Sequence, residues 1–353
     1  KQMTYKNVNK IIEEDIIPEG YEPYVDKLKL MAELAKIIRK AKVQKGYIDF
    51  DIDEPKIIVD ENGQAIDIQR RIRGAGEKLI EDFMIAANEA VATTIYYMEL
   101  PFIYRVHGLP DEEKIQSFLT FISTLGYKVN ANLKKLTSKT IQGILDQLKD
   151  KKEYPIFSTM LLRSMQKAIY DAKNIGHFGL ASKCYSHFTS PIRRFPDLTV
   201  HRLLHTYLFK HKINNETLSY FEQTLPQIAK QSSERERAAV DCERDVTDMK
   251  MAEYMMGHLG ETYKGFISTV TSFGLFVQLS NLVEGMIRID DLADDYYIYQ
   301  EASYSLIGKH NKKRYRLGEE IEVVVDSVNK DKGLINFKPV KKGGKHGNKQ
   351  SQS

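Results

Sequence analysis

The feature that most restricts the fold of this chain is a change of hydrophobic pattern at Gly260. Before it, apolar residues recur mostly at helical spacing. After it, short runs alternate apolar and polar residues and are rich in aromatic side chains. Residues 260–292 predict three strands, with Gly265 and Gly274 where strands bend, and residues 316–340 predict two more. Five short strands in succession predict a small closed β-barrel.

The region before Gly260 is predicted to be mainly helical with some β-structure, so the whole chain is predicted to be α+β. Its apolar spacing predicts helices over residues 24–42, 77–98 and 226–259 and three more between 112 and 170. Between the first two, KIIVDENGQAIDI predicts a β-hairpin with a tight primed turn at Asn62 and Gly63. In the last helix, a stripe of small and polar residues fits either a packed face or a functional surface.

Composition narrows the class of protein. Hydrophobic residues at 42% and charged residues at 28% are ordinary for a globular protein, and no apolar run is long enough to cross a membrane. Cys184 and Cys242 are the only cysteines, which favours a reducing compartment such as the cytoplasm. The net charge of +4 permits a nucleic-acid partner without requiring one. Residues 341–353 form a basic, low-complexity tail that is predicted to be disordered.

A segment dense in His, Phe and Arg, residues 174–206, is the strongest candidate for chemistry. It contains SPIRRFPD, in which a helix is predicted to begin at either Pro191 or Pro196. Arg193 and Arg194 beside a helix N-terminus predict a phosphate-binding site, because guanidinium groups and free backbone N–H groups both attract anions. Three of its histidines, His177, His187 and His201, are candidates for a general-base or metal-binding role. Since no acidic cluster lies beside them at metal-ligand spacing, hydrogen-bonded structural histidines are the favoured interpretation.

The segment resembles the signature of the RNB family, the catalytic domain of ribonucleases II and R, in HFGL, HFTSPIRRFPDL and VHR. The resemblance extends over residues 1–259 through MTYKNVNKII, GYIDFDIDEPKIIVDENG, KLIEDFMIAANEAVA, YRVH and MLLRSMQKAIY, in the order typical of ribonuclease R. Residues 260–340 are similar to an S1-type OB-fold domain. The resemblance therefore implies the C-terminal two-thirds of an RNB domain, an S1-type RNA-binding domain and a basic tail.

Such a protein is expected to be a 3′–5′ exoribonuclease that hydrolyses single-stranded RNA processively to 5′-mononucleotides. It is also expected to be monomeric, cytoplasmic and without a membrane partner. The alternative is an RNA-binding protein, such as a translation factor, whose helical domain does not catalyse. Sequence upstream of this chain discriminates the two, because only the enzyme requires metal-binding aspartates there.

The resemblance implies three residues at the reacting phosphate. Arg193 matches an arginine held against the scissile phosphate, and Arg194 is expected to brace the site through a carboxylate such as Asp197. Glu243 matches a glutamate near the product nucleotide, although pairing with a cation on its own helix is an equal alternative.

The resemblance also implies six RNA-binding residues. Tyr5 matches a tyrosine on the ribose near the scissile bond, Phe50 an aromatic that clamps terminal bases, and Glu81 a glutamate that recognises the 2′-OH. Core or surface positions remain the alternatives for these three.

The other three RNA-binding residues lie in the predicted barrel. Phe273 and Phe276 match aromatics on which bases stack, and Arg288 stands where family members often have histidine. The spacing of the two phenylalanines predicts opposite strand faces unless a bulge intervenes at Gly274, so at least one ring is expected to be exposed.

The family uses Mg²⁺ held by aspartates spaced D-x₅-D-x-D-D, since a hard cation requires clustered carboxylates. That spacing does not occur in this sequence. Two acidic groups are instead interpreted as solvated faces: Asp49, Asp51 and Asp53, and Asp290, Asp291, Asp294 and Asp295. The metal ligands are therefore expected upstream of this chain, which is predicted to hold no metal and to be inactive alone.

Overall fold

A computed structural model of the chain describes residues 1–50, 52–129 and 136–340. They form two compact units. The first comprises Lys1–Ile52 and Ile72–Val240, and the second comprises Asp53–Arg71 and the chain from Asp241 onward. Helices with short strands in the first unit and a barrel in the second confirm the predicted α+β class. The tail at 341–353 and Asp51 lie outside the described residues.

Eight α-helices are observed in the described residues. They are α1 (Tyr5–Glu13), α2 (Val25–Lys45), α3 (Ala75–Tyr97), α4 (Glu112–Thr124), α5 (Ser138–Leu148), α6 (Tyr154–Ser164), α7 (Phe195–Leu204) and α8 (Asn215–Met256). Side-chain caps begin several of them: the Thr4, Asp111 and Thr137 oxygens accept hydrogen bonds from backbone N–H groups of the first turn. The predicted helices over 24–42 and 77–98 and the three between 112 and 170 are confirmed. Over the described residues, no helix combines the length and apolarity that a membrane span requires.

α7 begins at Phe195 with Pro196 in its first turn, so of the two predicted starts the one at Pro196 is confirmed and the one at Pro191 is wrong. Proline in a first turn costs no helical hydrogen bond, because that N–H has no partner within the helix. Arg194 is the N-cap residue of α7. The arginine pair therefore lies directly at a helix N-terminus, as the sequence predicted.

The long helix α8 begins at Asn215, eleven residues before its predicted start at Pro226, so that boundary was wrong. Phe221, Leu225 and Ala229 are buried on either side of Pro226, and this packing holds the helix together across the hydrogen bond that proline removes. The stripe of small and polar residues is exposed in its middle part, where Val246 is half exposed.

The core of the first unit surrounds a short antiparallel pair of strands, β3 (Tyr104–Val106) and β4 (Ile169–Asp171). Residues of α3, α7 and α8 bury their apolar faces in the same cluster, which includes Ile95, Phe102, Ile103, Val200, Leu203 and Leu225. The segment with the arginine pair is thereby attached to a rigid core, which fixes the positions of its polar side chains.

The predicted hairpin is present as β1 (Pro55–Val59) and β2 (Ala65–Arg70), and it belongs to the second unit. Its turn is not the predicted primed type, because of the two turn residues only Gly63, at φ 77°, has a positive φ. The Asp60 carboxylate instead accepts hydrogen bonds from Asn62 N and Gln64 N at 2.9 and 2.8 Å. This aspartate favours a longer turn.

The predicted barrel is confirmed as five strands that close on themselves. They are β5 (Thr262–Thr271), β6 (Gly274–Leu279), β7 (Glu284–Arg288), β11 (Glu320–Asn329) and β12 (Leu334–Pro339). Leu275, Val277, Val323 and Phe337 are fully buried inside. A separate three-stranded antiparallel sheet interrupts the barrel after β7, and the sequence did not predict it: β8 (Tyr297–Gln300), β9 (Ser305–Gly308) and β10 (Arg314–Arg316).

Candidate functional site

The two adjacent arginines of the first unit have different surroundings. Arg194 Nη2 donates to Asp197 Oδ1 at 2.7 Å, and the side chains are 21% and 0% exposed. The same carboxylate oxygen accepts a hydrogen bond from Ser190 N at 2.8 Å. Asp197 therefore ties Arg194 to the preceding loop. Arg193 is exposed, and its N–H and that of Arg194 donate to Ser190 O at 3.3 and 3.1 Å.

The predicted contact between Arg194 and Asp197 is thus present, whereas the side chain of Arg193 faces solvent. A guanidinium that is exposed, but whose backbone is fixed in a tight turn, is available for an anion. The geometry agrees with one arginine positioned for a phosphate and a second that braces it.

Two of these three histidines, His187 and His177, are partly buried. The Tyr170 hydroxyl lies 2.7 Å from His187 Nδ1. Burial, followed by the positive charges of Arg194 and Arg105, lowers the pKa of His187 to about 2. Burial, followed by His107 and the positive charge of Arg105, lowers the pKa of His177 to about 3. Both histidines are neutral near pH 7.

The third histidine, His201, stacks on Phe188 with ring centroids 4.4 Å apart, and its Nε2 lies 2.9 Å from Phe188 O. His177 Nδ1 accepts a hydrogen bond from Leu180 N at 3.3 Å, so these three histidines all have partners within the protein, as the structural interpretation predicted. Over the described residues, no group of three or more His, Cys, Asp or Glu could hold a metal ion. The described side chains thus do not fit the Mg²⁺ site that the resemblance implies.

A cleft of about 740 Å³ opens beside this network within the first unit. Its lining includes aromatic and cationic side chains: Tyr47, Phe50, Arg105, Arg163, Lys167 and Arg237. Arg105 lies 2.5 Å from the Glu236 carboxylate and stands 4.6 Å over the Tyr170 ring. Aromatic faces beside cations are the combination that holds single-stranded nucleic acid. The sequence identified Phe50 but missed Arg105, whose only signal was its place in the quoted YRVH motif.

Glu81 lies on α3 in a cluster of charged groups and is partly buried. It accepts a hydrogen bond from the Tyr47 hydroxyl at 3.1 Å, and Arg39 and Arg73 lie 3.7 and 3.8 Å from its carboxylate oxygens. Glu81 is therefore an ion-paired residue of α3, and its role at a 2′-OH stays a prediction. Tyr5, the first residue of α1, is half exposed, so the core alternative is wrong for it.

In the second unit, Phe273 and Phe276 share one side of the barrel. Phe273 is 56% exposed and lies in the turn before β6, whereas Phe276 is half-buried on that strand. Their rings meet edge to face with centroids 6.3 Å apart. The prediction of opposite faces was wrong because Phe273 is not part of the strand, but the expected exposed ring is present.

The backbone explains this arrangement. A Cβ at Gly274 would lie 2.2 Å from Ile287 O, so only glycine allows the close approach of β6 to β7 that starts the strand there. Gly274 pairs with Arg288, which is exposed at the end of β7. An aromatic pair with one exposed ring and a guanidinium thus lie at one end of two paired strands.

Glu243 is exposed on α8. The cations expected to pair with it have other partners, since Arg244 contacts Asp241 at 3.3 Å and Lys250 contacts Glu253 at 2.6 Å. The alternative of an ion pair on its own helix is therefore wrong.

The interpretation of the barrel aspartates as a solvated face fails for Asp295, whose side chain is 3% exposed. It accepts hydrogen bonds from His310 N and Asn311 N at 2.7 and 2.6 Å. Asp294 contacts Lys313 at 2.8 Å. These aspartates organise a loop of the inserted sheet.

Comparison with known proteins places these features in a family. Residues 1–210 match the family model described as RNB domain, and residues 258–338 match that described as S1 RNA binding domain. Ribonuclease R 1 of Lactococcus lactis is 43% identical over 338 residues, which are 96% of this chain and 41% of that protein. Ribonuclease R of Thermotoga maritima is 44% identical over 344 residues, 96% of this chain and 48% of that protein.

A solved structure is similar over nearly the whole chain. The RNase R of Mycoplasma genitalium, in complex with ribose-methylated single-stranded RNA, superposes with a TM-score of 0.90 at 32% identity. The match covers 95% of this chain and 53% of that one. This chain therefore spans about half the length of the relatives it matches.

Proposed function

The chain belongs to the RNB family of ribonucleases, and we propose that it is the RNA-holding part of a 3′–5′ exoribonuclease of the ribonuclease R type. The proposed substrate is single-stranded RNA, degraded processively to 5′-mononucleotides. The observation that carries this proposal is the arginine pair at the start of α7, where Asp197 fixes Arg194 and leaves Arg193 free for a phosphate.

The proposed chemistry of Arg193 follows from charge. Hydrolysis of a phosphodiester passes through a transition state with more negative charge on the non-bridging oxygens than the ground state has. A guanidinium already fixed against those oxygens stabilises the transition state more than the bound substrate. Arg194 positions this turn through Asp197, and Glu243 is proposed to lie near the product nucleotide.

The remaining residues hold the strand. We propose that Phe50 stacks on terminal bases from the cleft wall, that Tyr5 contacts a ribose, and that Glu81 accepts a hydrogen bond from a 2′-OH. In the barrel, Phe273 and Phe276 stack on bases further along the strand, and Arg288 contacts a phosphate.

Mg²⁺ is the cofactor that the family resemblance implies, and its proposed ligands are aspartates N-terminal to Lys1. The described residues of this chain do not themselves form such a site. The complete enzyme is further proposed to be a cytoplasmic monomer.

Equilibrium binding tests this proposal. The 353-residue chain is expected to bind fluorescent oligouridine with an affinity that falls steeply as salt rises, because cationic side chains displace counterions from phosphates. It should bind the matched deoxy strand more weakly, and Glu81→Gln should reduce that preference. A wild-type chain that does not bind RNA, or binds it independently of salt, would contradict the proposal.

A further inference from the structure

The three-stranded sheet that interrupts the barrel carries a concentrated positive charge. Residues 309–314, which comprise the connection between β9 and β10 and the first residue of β10, have the sequence KHNKKR, with four Lys or Arg and no Asp or Glu. All six residues are exposed. We name residues 309–314 the cationic loop.

Hydrogen bonds to a buried carboxylate hold the cationic loop in one conformation. The buried Asp295 carboxylate accepts hydrogen bonds from His310 N and Asn311 N and lies 2.8 Å from His310 Nδ1. Gly308 N donates to Lys313 O at 2.8 Å, which closes the loop. A buried carboxylate that satisfies three donors of one loop fixes it before any ligand arrives.

The loop is also tightly packed at its base. A Cβ at Gly308 would lie 2.1 Å from Asn311 Oδ1 and 2.7 Å from Asp295 Oδ2, so a side chain at this position would displace these two groups. Lys312 has a positive φ of 56°, an uncommon conformation for a residue with a side chain. Because the loop is ordered in advance, a ligand that it binds loses less affinity to ordering.

Most of the loop's charge is not neutralised within the protein. Lys313 is paired with Asp294 at 2.8 Å. Lys312 Nζ donates only to a neutral carbonyl, Lys309 O, at 2.9 Å. Within the described residues, Lys309, Lys312 and Arg314 make no ion pair. Three like charges held close together repel one another, and an anion relieves that repulsion.

An exposed aromatic ring adjoins these cations. Tyr296 is 70% exposed, its N donates to Asp295 Oδ1 at 2.7 Å, and its carbonyl accepts a hydrogen bond from Lys309 N at 2.8 Å. The ring is therefore attached to the same framework as the lysines. Cations that follow a backbone beside an aromatic platform are the arrangement that binds single strands without sequence preference.

We propose that the cationic loop and Tyr296 form a second contact for single-stranded RNA, separate from the Phe273 and Phe276 surface. Lys309, Lys312 and Arg314 bind successive phosphates, and a base stacks on Tyr296. RNA is favoured over an anionic membrane because the loop contains no apolar residue that could enter a bilayer. This inference rests on the proposed function, since it takes RNA as the ligand.

Salt titration of RNA binding by the whole 353-residue chain tests the inference. The variant Lys309→Gln/Lys312→Gln/Arg314→Gln removes the three unpaired charges and leaves Asp295 and its hydrogen bonds in place. Its plot of log affinity for oligouridine against log salt should be shallower than that of the wild type by about 2, since each phosphate contact on a single strand contributes about 0.7. Tyr296→Ala should weaken binding at least about fivefold without changing that slope.

A matched variant controls for net charge. Lys27→Gln/Lys36→Gln/Lys149→Gln removes three exposed lysines of the first unit and should leave the slope nearly unchanged. The inference is overturned if the loop variant keeps the wild-type slope, or if the control variant loses as much. It is also overturned if the loop variant loses affinity for phosphatidylglycerol vesicles but not for RNA. A wild-type chain that does not bind RNA would instead contradict the proposed function itself.

Discussion

Arg193 and Arg194 are neighbours in the chain, but only one of them is engaged by the protein. Arg194 is held by a carboxylate that is fully buried, whereas Arg193 is exposed in the turn before α7. Removing one partner of a buried ion pair leaves an uncompensated charge, so the two arginines should respond differently to substitution.

In the complete enzyme, Arg193→Ala is expected to lower the single-turnover cleavage rate by about two orders of magnitude, as the loss of one transition-state donor does. RNA affinity should change little, because the barrel and cleft supply most phosphate contacts. Arg193→Lys should restore the rate only in part, since an ammonium group cannot form the bidentate contact. Single-turnover kinetics and equilibrium binding for each variant measure both quantities.

Arg194→Ala is the matched comparison, because it should lower the free energy of unfolding by about 3 kcal/mol through the unpaired Asp197. The catalytic role of Arg193 would be refuted if Arg193→Ala cleaved at the wild-type rate, or lost rate and affinity in equal proportion.

The buried histidines predict how stability depends on pH. His177 and His187 have folded-state pKa values of about 3 and about 2, below the ordinary 6.5, so the unfolded chain binds protons that the folded chain does not. Their contribution is fully present above pH 6.5 and is lost as the pH falls, by about 2 kcal/mol for each histidine at pH 5.

Chemical denaturation between pH 7 and 5 measures this effect. His187→Gln should reduce the slope of unfolding free energy against pH by about 1 kcal/mol per pH unit over this range, whatever its effect on absolute stability. His205→Gln, at an exposed histidine of the same unit, should leave the slope unchanged. Identical slopes for His187→Gln and the wild type would show that His187 is not a buried neutral group.

Substitutions in the barrel can distinguish an aromatic ring that stacks on RNA bases from one that packs in the core. Since Phe273 is largely exposed, Phe273→Ala should cost about 1–3 kcal/mol of RNA affinity and leave the melting temperature nearly unchanged. Phe337→Ala, in the barrel interior, should instead cost about 3–5 kcal/mol of stability. If the folded Phe273→Ala variant bound RNA normally, the stacking role would be wrong.

At the scale of elements, one carboxylate joins three parts of the second unit. Glu253 on α8 accepts a hydrogen bond from Ala65 N of β2 at 3.1 Å and contacts Lys250 and Lys330 at 2.6 and 2.5 Å. Hydrogen bonds from the two lysines, with that from Ala65, lower the pKa of Glu253 to about 2. The hairpin, the helix and the β11–β12 turn therefore share one anchor.

Glu253→Gln should lower the melting temperature of the second unit, because neutralising the carboxylate weakens both lysine contacts. The wild-type advantage should be present above pH 4.5 and lost as the pH falls toward 2, because the folded-state pKa lies below the unfolded one. Glu301→Gln, at an exposed glutamate of the same unit, is the control for scanning calorimetry. Equal melting temperatures for Glu253→Gln and the wild type would exclude the anchor.

The sequence predicted those helices and strands that have a clear hydrophobic pattern of their own, and it missed features that depend on packing between distant segments. The barrel strands and most helices have strong periodicity and were confirmed. The start of α8 was misplaced because proline usually ends a helix, and only tertiary burial of Phe221 and Leu225 shows why this one continues. The inserted sheet was missed because its strands, at three or four residues, are too short to show alternation.

Within the candidate site too, contacts between residues close in sequence could be predicted, and contacts between distant residues could not. The ion pair between Arg194 and Asp197 was predictable because the two residues are three apart at a helix start. The contact of Arg105 with Glu236 joins residues 131 positions apart, and that of Glu81 with Tyr47 joins residues 34 apart. No spacing rule connects such residues, so only the fold brings them together.

At the scale of the whole molecule, the central claim is a division of labour. We propose that this chain supplies the surfaces that hold RNA and the guanidinium that contacts the phosphate, and that aspartates outside it supply the metal site. The claim rests on the absence of the D-x₅-D-x-D-D spacing from the sequence and on the RNB and S1 matches that cover most of the chain.

Mononucleotide release from a labelled single-stranded RNA, measured with Mg²⁺ and again with excess EDTA, tests this division most directly. The purified 353-residue chain should bind the RNA and release no mononucleotide under either condition. The same chain extended N-terminally to include the aspartates should release mononucleotides from the 3′ end only with Mg²⁺. Mg²⁺-dependent release by the 353-residue chain alone would contradict the account.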